Sequence, residues 1–302
     1  MRKRLLPLLV LILLAALLCP VSAWAQPLDS DADTSLTLHY QKEGIVFADL
    51  SVRIYRVAEA CPDGTFDLIA PFDAYPVNIH GITMQEQWQD VAETLVGYVA
   101  AEGIVATREG KTDETGTATF TGLQTGLYLV REVIAEHDTG TYLFNQFMVY
   151  LPTPQGDGSF LYDVEANPKC VMFLPRDQYT VTKLWQDAGH QDQRPKEVKV
   201  EIYRDGVLQE TVFLNAENNW SYTWPVDEGD AAKWTVVERT VKDPYEVAIR
   251  KNGATFSIVN TWQEPGDIPP TGDSFALLPM LLLAGLSGVM LLLLGLRSRR
   301  GA

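Results

Sequence analysis

The chain has 302 residues, 46% of them apolar, and a formal charge of −15. Six of its 24 basic residues and only Asp273 of its 39 acidic ones lie in the two termini, so residues 26–271 hold 18 basic against 38 acidic residues, a net of −20. A surface of that sign repels phosphate backbones, which excludes nucleic acid as a partner.

Arg2, Lys3 and Arg4 precede an almost unbroken apolar run over residues 5–18, and Ala23-Trp24-Ala25 supplies small residues at the two positions a signal peptidase reads. The pattern predicts a signal peptide over residues 1–25, cleaved before Gln26. Cys19 leaves with it; Leu18 stands where a lipoprotein signal needs a small residue. Residues 26–34 form an acidic, flexible leader. Its Asp29, Asp31 and Asp33 begin like a calcium loop, but no Gly or closing Glu follows at the required offsets.

From Ser35 to Met172, short period-two runs alternate with Gly, Asp or Pro turns: SLTLHY, LSVRIYRV, TATFTGL, LYLVREVI and NQFMVYLP. They predict a β domain over residues 35–172. Within it, Trp88, Val91, Leu95, Tyr98 and Val99 recur at helical spacing and predict one inserted amphipathic helix over residues 84–103. Cys61 and Cys170 are the two cysteines left after export. They are a candidate disulfide, worth about 4–5 kcal/mol on the chain-entropy model, or else two separate thiols.

A polar junction at residues 173–178 leads into a second domain, residues 178–263. Asp205-Gly206, between EVKVEIYR and VLQETVFL, predicts a tight hairpin because both residues tolerate positive φ. WSYTWP, WTVVERTV and ATFSIVNTW add further strands, and about seven short strands in this length predict an Ig-like sandwich.

Three polar residues fall where the strand period calls for apolar ones. Lys183 shares a face with Val181 and Trp185, Glu238 with Trp234 and Val236, and Asn260 with Phe256, Ile258 and Trp262. By alternation each points into the core. Burial lowers a lysine pKa toward the neutral, nucleophilic amine and raises that of a carboxyl. Glu238 could then polarise the Asn260 carboxamide for attack by Lys183, joining the first and last strands by an amide with loss of ammonia. A buried Lys183–Glu238 ion pair with Asn260 hydrogen-bonded beside it fits the spacing equally well.

Beyond a linker at residues 264–274, residues 275–296 are 22 in a row without charge, long enough to cross a bilayer as a helix. Arg297, Arg299 and Arg300, in the tail 297–302, would hold that end in the cytoplasm. His39, His80, His137 and His190 are scattered without metal-ligand spacing, and no phosphate loop or nucleophile elbow occurs. No metal, no cofactor and no enzyme activity toward other molecules is expected.

VTKLW, RPKEVKVEIYRDG, NNWSYTW, TVVERT and FSIVNTW together resemble the Cna-B type domain of Gram-positive surface proteins, through essentially all of residues 179–262. The resemblance implies an intramolecular isopeptide bond between Lys183 and Asn260, assisted by Glu238. The first domain resembles the N-terminal domain of sortase-assembled pilins. Tyr128, Val130 and Glu132 resemble the core of that family's E-box. Phe160, Val164, Pro168 and Lys169 resemble its pilin motif, with Ala166 and Asn167 in place of a Val and a Tyr. Lys169 is thereby the candidate intersubunit amine. Leu36 and Leu38 hold the core parity of the first strand, so no internal bond is expected in this domain.

Ile268, Pro269, Pro270, Thr271 and Gly272 resemble the LPXTG sorting signal, with Ile for Leu, placed directly before the apolar stretch. The resemblance implies cleavage by sortase between Thr271 and Gly272 and transfer of Thr271 to peptidoglycan or to another pilin subunit, after a transient membrane-held stage. The whole reads as an all-β protein of two Ig-like sandwiches, wall-anchored on a Gram-positive surface, and a fimbrial subunit. The alternative is a monomeric wall-anchored adhesin whose first domain binds a host or other extracellular ligand on a Cna-B stalk.

Overall fold

Alternating apolar and polar residues form strands wherever one face can be buried, and both halves of the chain are built this way. The computed structural model describes residues 28–61, 65–174, 176–227 and 229–264. The expected signal peptide, the expected sorting motif at Ile268–Gly272 and the apolar stretch 275–296 lie outside the described residues.

The first lobe contains β1 (Thr34–His39), β2 (Gln41–Lys42), β3 (Ile45–Val46), β4 (Ser51–Ala60), β5 (Phe66–Leu68), helix α1 (Gln85–Glu102), β6 (Arg108–Lys111), β7 (Thr117–Leu123), β8 (Gly126–Val130) and β9 (Val133–His137). β10 (Gly140–Phe144), β11 (Phe147–Leu151), β12 (Thr153–Pro154), β13 (Phe160–Leu161), β14 (Asp163–Ala166) and β15 (Cys170–Met172) complete it. β1 pairs in parallel with β14 and antiparallel with β7. β8 lies between β4 and β11. Leu36 and Leu38 are fully buried with Ile54, Phe120, Tyr128 and Phe144, as the parity of β1 predicts.

The candidate disulfide is not formed. Cys61 follows β4 and its Sγ donates to Asp67 Oδ2 at 3.3 Å, whereas Cys170 opens β15, which is hydrogen-bonded to β10 in a different sheet. The two thiols belong to separate layers of the lobe.

The second lobe is a seven-stranded sandwich of β16 (Gln178–Gln186), β17 (Glu197–Arg204), β18 (Val207–Asn215), β19 (Ser221–Pro225), β20 (Trp234–Glu238), β21 (Tyr245–Asn252) and β22 (Thr255–Trp262). One sheet runs β19-β16-β22-β21 and the other β18-β17-β20. The first and last strands, β16 and β22, are parallel neighbours. The β17–β18 turn is the expected hairpin, with Asp205 at φ 51° and Gly206 at φ 81°.

Helix α1 departs from the amphipathic expectation. Every residue from Asp90 to Ala100 is buried, because the helix is wedged between lobes rather than laid on one of them. Its Val91, Leu95 and Val99 share a core with Leu129 of the first lobe and with Val236, Val247 and Ile249 of the second. Gln87 Oε1 accepts from the backbone N–H groups of Thr83 and Met84 at its start, and Gly103 ends it in the left-handed region at φ 61°.

The wedge also seals open sheet edges. β21 is an edge strand whose outward N–H groups would otherwise be unpaired. Val247 N–H donates to Pro76 O at 2.8 Å, and Ile249 N–H to Thr94 Oγ1 at 2.7 Å. Arg250 forks onto Asp90 at 2.7 and 3.1 Å, and Arg239 reaches Glu102.

Candidate functional site

Lys183, Glu238 and Asn260 meet in the middle of the second lobe. Parity sends each inward: Lys183 from β16, Asn260 from β22 beside it, and Glu238 from β20 in the facing sheet. In the parallel register Lys183 lies opposite Ile258, and Asn260 two residues further on lies opposite Trp185. Lys183 and Asn260 are therefore diagonal neighbours on one face of one sheet.

The three are 3%, 2% and 1% exposed respectively, so their contacts are made without water. Lys183 Nζ lies 3.7 Å from Glu238 Oε2, and Asn260 Nδ2 donates to Glu238 Oε1 at 2.9 Å. The amine also donates to the carbonyls of Leu184 at 2.9 Å and Ile258 at 3.3 Å, and sits 4.1 Å from the centre of the Trp185 ring. Glu238 Oε2 and Asn260 Oδ1 make no hydrogen bond. One carboxyl thus bridges the other two groups, with one oxygen turned to each.

Electrostatics follow from burial. Desolvation pulls the Lys183 amine down to about 8, against a smaller opposing pull from the Glu238 carboxylate. Desolvation likewise pushes the Glu238 carboxyl up, with Lys183 and the Asn260 hydrogen bond opposing. Both shifts favour the neutral forms, a free amine beside a protonated carboxyl.

Sequence reasoning missed one neighbouring cluster. Asp187, 4% exposed, accepts from Arg194 Nε and Nη2 at 2.7 and 2.6 Å and from the Tyr245 hydroxyl at 2.9 Å. Arg194 also lies 5.5 Å from the centre of the Trp185 ring, so the clasp covers one end of the chamber. The signal was present: Asp187 continues the parity of Val181, Lys183 and Trp185.

In the first lobe, Glu132 is 8% exposed, and Leu36 and Leu38 occupy the first strand where a lysine would be needed. Its charge instead faces the second lobe. Lys233 Nζ lies 3.8 Å from Glu132 Oε1 and donates to its main-chain oxygen at 2.8 Å, while Arg131 Nε is 3.6 Å away. Lys169 is exposed between β14 and β15, at a cleft of about 530 Å³ that also includes Glu93, Glu132, Gln146, Lys233 and Lys251. Thr271 and Gly272 are outside the described residues.

Residues 179–261 match the family model for the Cna protein B-type domain. A 100-residue stretch, 31% of this chain, is 39% identical to the collagen adhesin of Staphylococcus aureus and spans 8% of that protein's length. Among solved structures, the chain is similar to a single B repeat unit of the collagen binding surface protein of Staphylococcus aureus, at 20% identity over 77% of this chain and 99% of that one, with a TM-score of 0.27. It is also similar to the full-length major pilin SpaD from Corynebacterium diphtheriae, at 18% identity over 78% and 65% of the two chains, with a TM-score of 0.32. The pilus backbone RrgB from Streptococcus pneumoniae aligns at 14% identity over 77% and 76%, with a TM-score of 0.27. The stretch that matches the Cna protein B-type model, residues 179–261, spans nearly the whole second lobe and contains Lys183, Glu238 and Asn260.

Proposed function

We propose that this chain is a structural protein of a Gram-positive surface, a pilus subunit whose second lobe cross-links itself. The observation that carries the reading is the buried triad, in which Glu238 touches both Lys183 and Asn260. The neutral Lys183 amine attacks Cγ of Asn260. Glu238 takes the proton released from the amine at Oε2 and delivers one from Oε1 to the departing nitrogen, which it already contacts. A Cγ–Nζ bond forms, the Cγ–Nδ2 bond breaks, and one ammonia leaves with Glu238 restored. The chemistry needs no cofactor, and it happens once per molecule.

The product amide joins adjacent parallel strands at the two ends of the domain, so the lobe cannot unzip from either end. The IPPTG sequence at Ile268–Gly272 before the apolar stretch supports attachment through Thr271 by a sortase, to peptidoglycan or to a neighbouring subunit. Lys169 is the amine on this chain that would receive another subunit's threonine, and its exposure supports that role. Tryptic digestion followed by tandem mass spectrometry tests the internal bond. The reading expects a branched peptide carrying Lys183 and Asn260; recovery of both in separate linear peptides overturns it.

A further inference from the structure

The reacting carboxyl sits on an open edge strand, and the element that covers that edge comes from the other lobe. Among the described residues β20 pairs only with β17, in the register Ile202 to Val236 and Val200 to Glu238. Arg239 N–H donates to Lys199 O and Asp205 N–H to Lys233 O, so the odd-numbered residues of β20 bond to β17. The backbone groups of Trp234, Val236 and Glu238 point away from it. Lys251 Nζ caps the outward oxygen of Trp234 at 3.1 Å.

Helix α1 lies against the next outward oxygen. A methyl group added at Gly97 would fall 2.8 Å from Val236 O and 3.2 Å from Val237 Cγ2. Real side chains do not approach a backbone oxygen so closely, so only glycine lets the helix seat at this depth. Glycine is disfavoured in a helix interior relative to alanine, which makes its presence here a packing requirement rather than a helix preference. Tyr98, the next residue, is 4% exposed, and its hydroxyl is pushed up by burial and by the nearby Glu238 carboxylate. On the neighbouring edge strand, Thr94 of the same helix holds Ile249.

We infer that α1, although it belongs to the first lobe, is a positioning element for the Lys183–Asn260 reaction, with Gly97 seating it against the edge of β20 and so fixing where Glu238 stands. The inference rests on the cross-link proposed above. A shift of the β20 backbone by a few tenths of an ångström moves a carboxyl that must reach two groups at once, and reactions of held groups lose rate steeply with misplacement.

The test follows bond formation in residues 26–271 made by cell-free synthesis, reading the fraction lighter by one ammonia against time. Gly97→Ala favours the isolated helix yet forces β20 outward, and should slow the reaction roughly tenfold or more. Val237→Ala, which removes the side chain that Gly97 seats against, should slow it as well and gives the answer if Gly97→Ala does not fold. Thr112→Val is the control. It removes a buried hydroxyl from the first lobe, bonded to Phe47 O and Leu50 N, far in sequence from β20. Slowing by Gly97→Ala or Val237→Ala with an unchanged rate in Thr112→Val supports the inference. Unchanged rates in all three, or equal slowing in all three, overturns it while leaving the cross-link intact. A wild-type chain that loses no ammonia at all overturns the cross-link itself, and the positioning role with it.

Discussion

The buried Lys183 amine weighs against folding as long as it has to carry a charge there. It is dehydrated, and between about 8 and 10.5 the folded state binds fewer protons at this group than the unfolded state does. Stability of an unlinked chain such as Asn260→Ala should therefore rise with pH through that window, while the linked chain, which has no amine there, shows no such rise in chemical denaturation. The reaction rate should be low in acid, where the amine keeps its proton, and fall again in alkali, where Glu238 has lost the proton it delivers, giving a bell-shaped profile. Glu238→Gln should abolish the ammonia loss. Glu238→Ala should do so as well and leave a buried amine without its partner, which costs about 3–5 kcal/mol in unfolding free energy. All three residues were legible from strand parity, because a polar residue on an apolar face is visible in one sequence. Their mutual contact was not, since it depends on which sheets face each other; the family resemblance supplied that step. Whether Cys61 and Cys170 pair was left open by the sequence, because spacing along the chain says nothing about which sheet each joins.

At the scale of elements, the seven strands of the second lobe and the Asp205-Gly206 turn follow from period-two runs and turn chemistry. The parallel pairing of β16 with β22 does not, because it joins strands at opposite ends of the lobe. Helix α1 was legible as a helix, but its burial on all sides was not. The apolar stripe gave no sign that polar residues beside it are also covered: Asp90 takes Arg250 and Thr94 takes the Ile249 N–H. Thr94→Val keeps the shape and removes the acceptor, leaving a buried N–H unsatisfied. It should lower unfolding stability by about 1–3 kcal/mol, read from the midpoint of a urea titration at unchanged slope. A loss near zero would mean that the helix does not cap β21 in solution.

Across the whole molecule, one helix shares a single core between the lobes, and the proposed Lys183–Asn260 amide would add a covalent tie across the second. That tie would enclose most of the lobe, and by the chain-entropy argument used for disulfides it should add about 4–5 kcal/mol. Polymerisation is a separate proposal, and it assigns the receiving amine to Lys169. Lys169→Ala should abolish the high-mass ladders of this protein on denaturing gels of wall extracts, and ladders that persist would assign the amine elsewhere. The central claim, self-cross-linking, is tested most directly by the intact mass of folded residues 26–271. The account predicts a mass below that of the sequence by one ammonia, restored to the full value in Glu238→Gln. A wild-type mass equal to the unmodified sequence would contradict it.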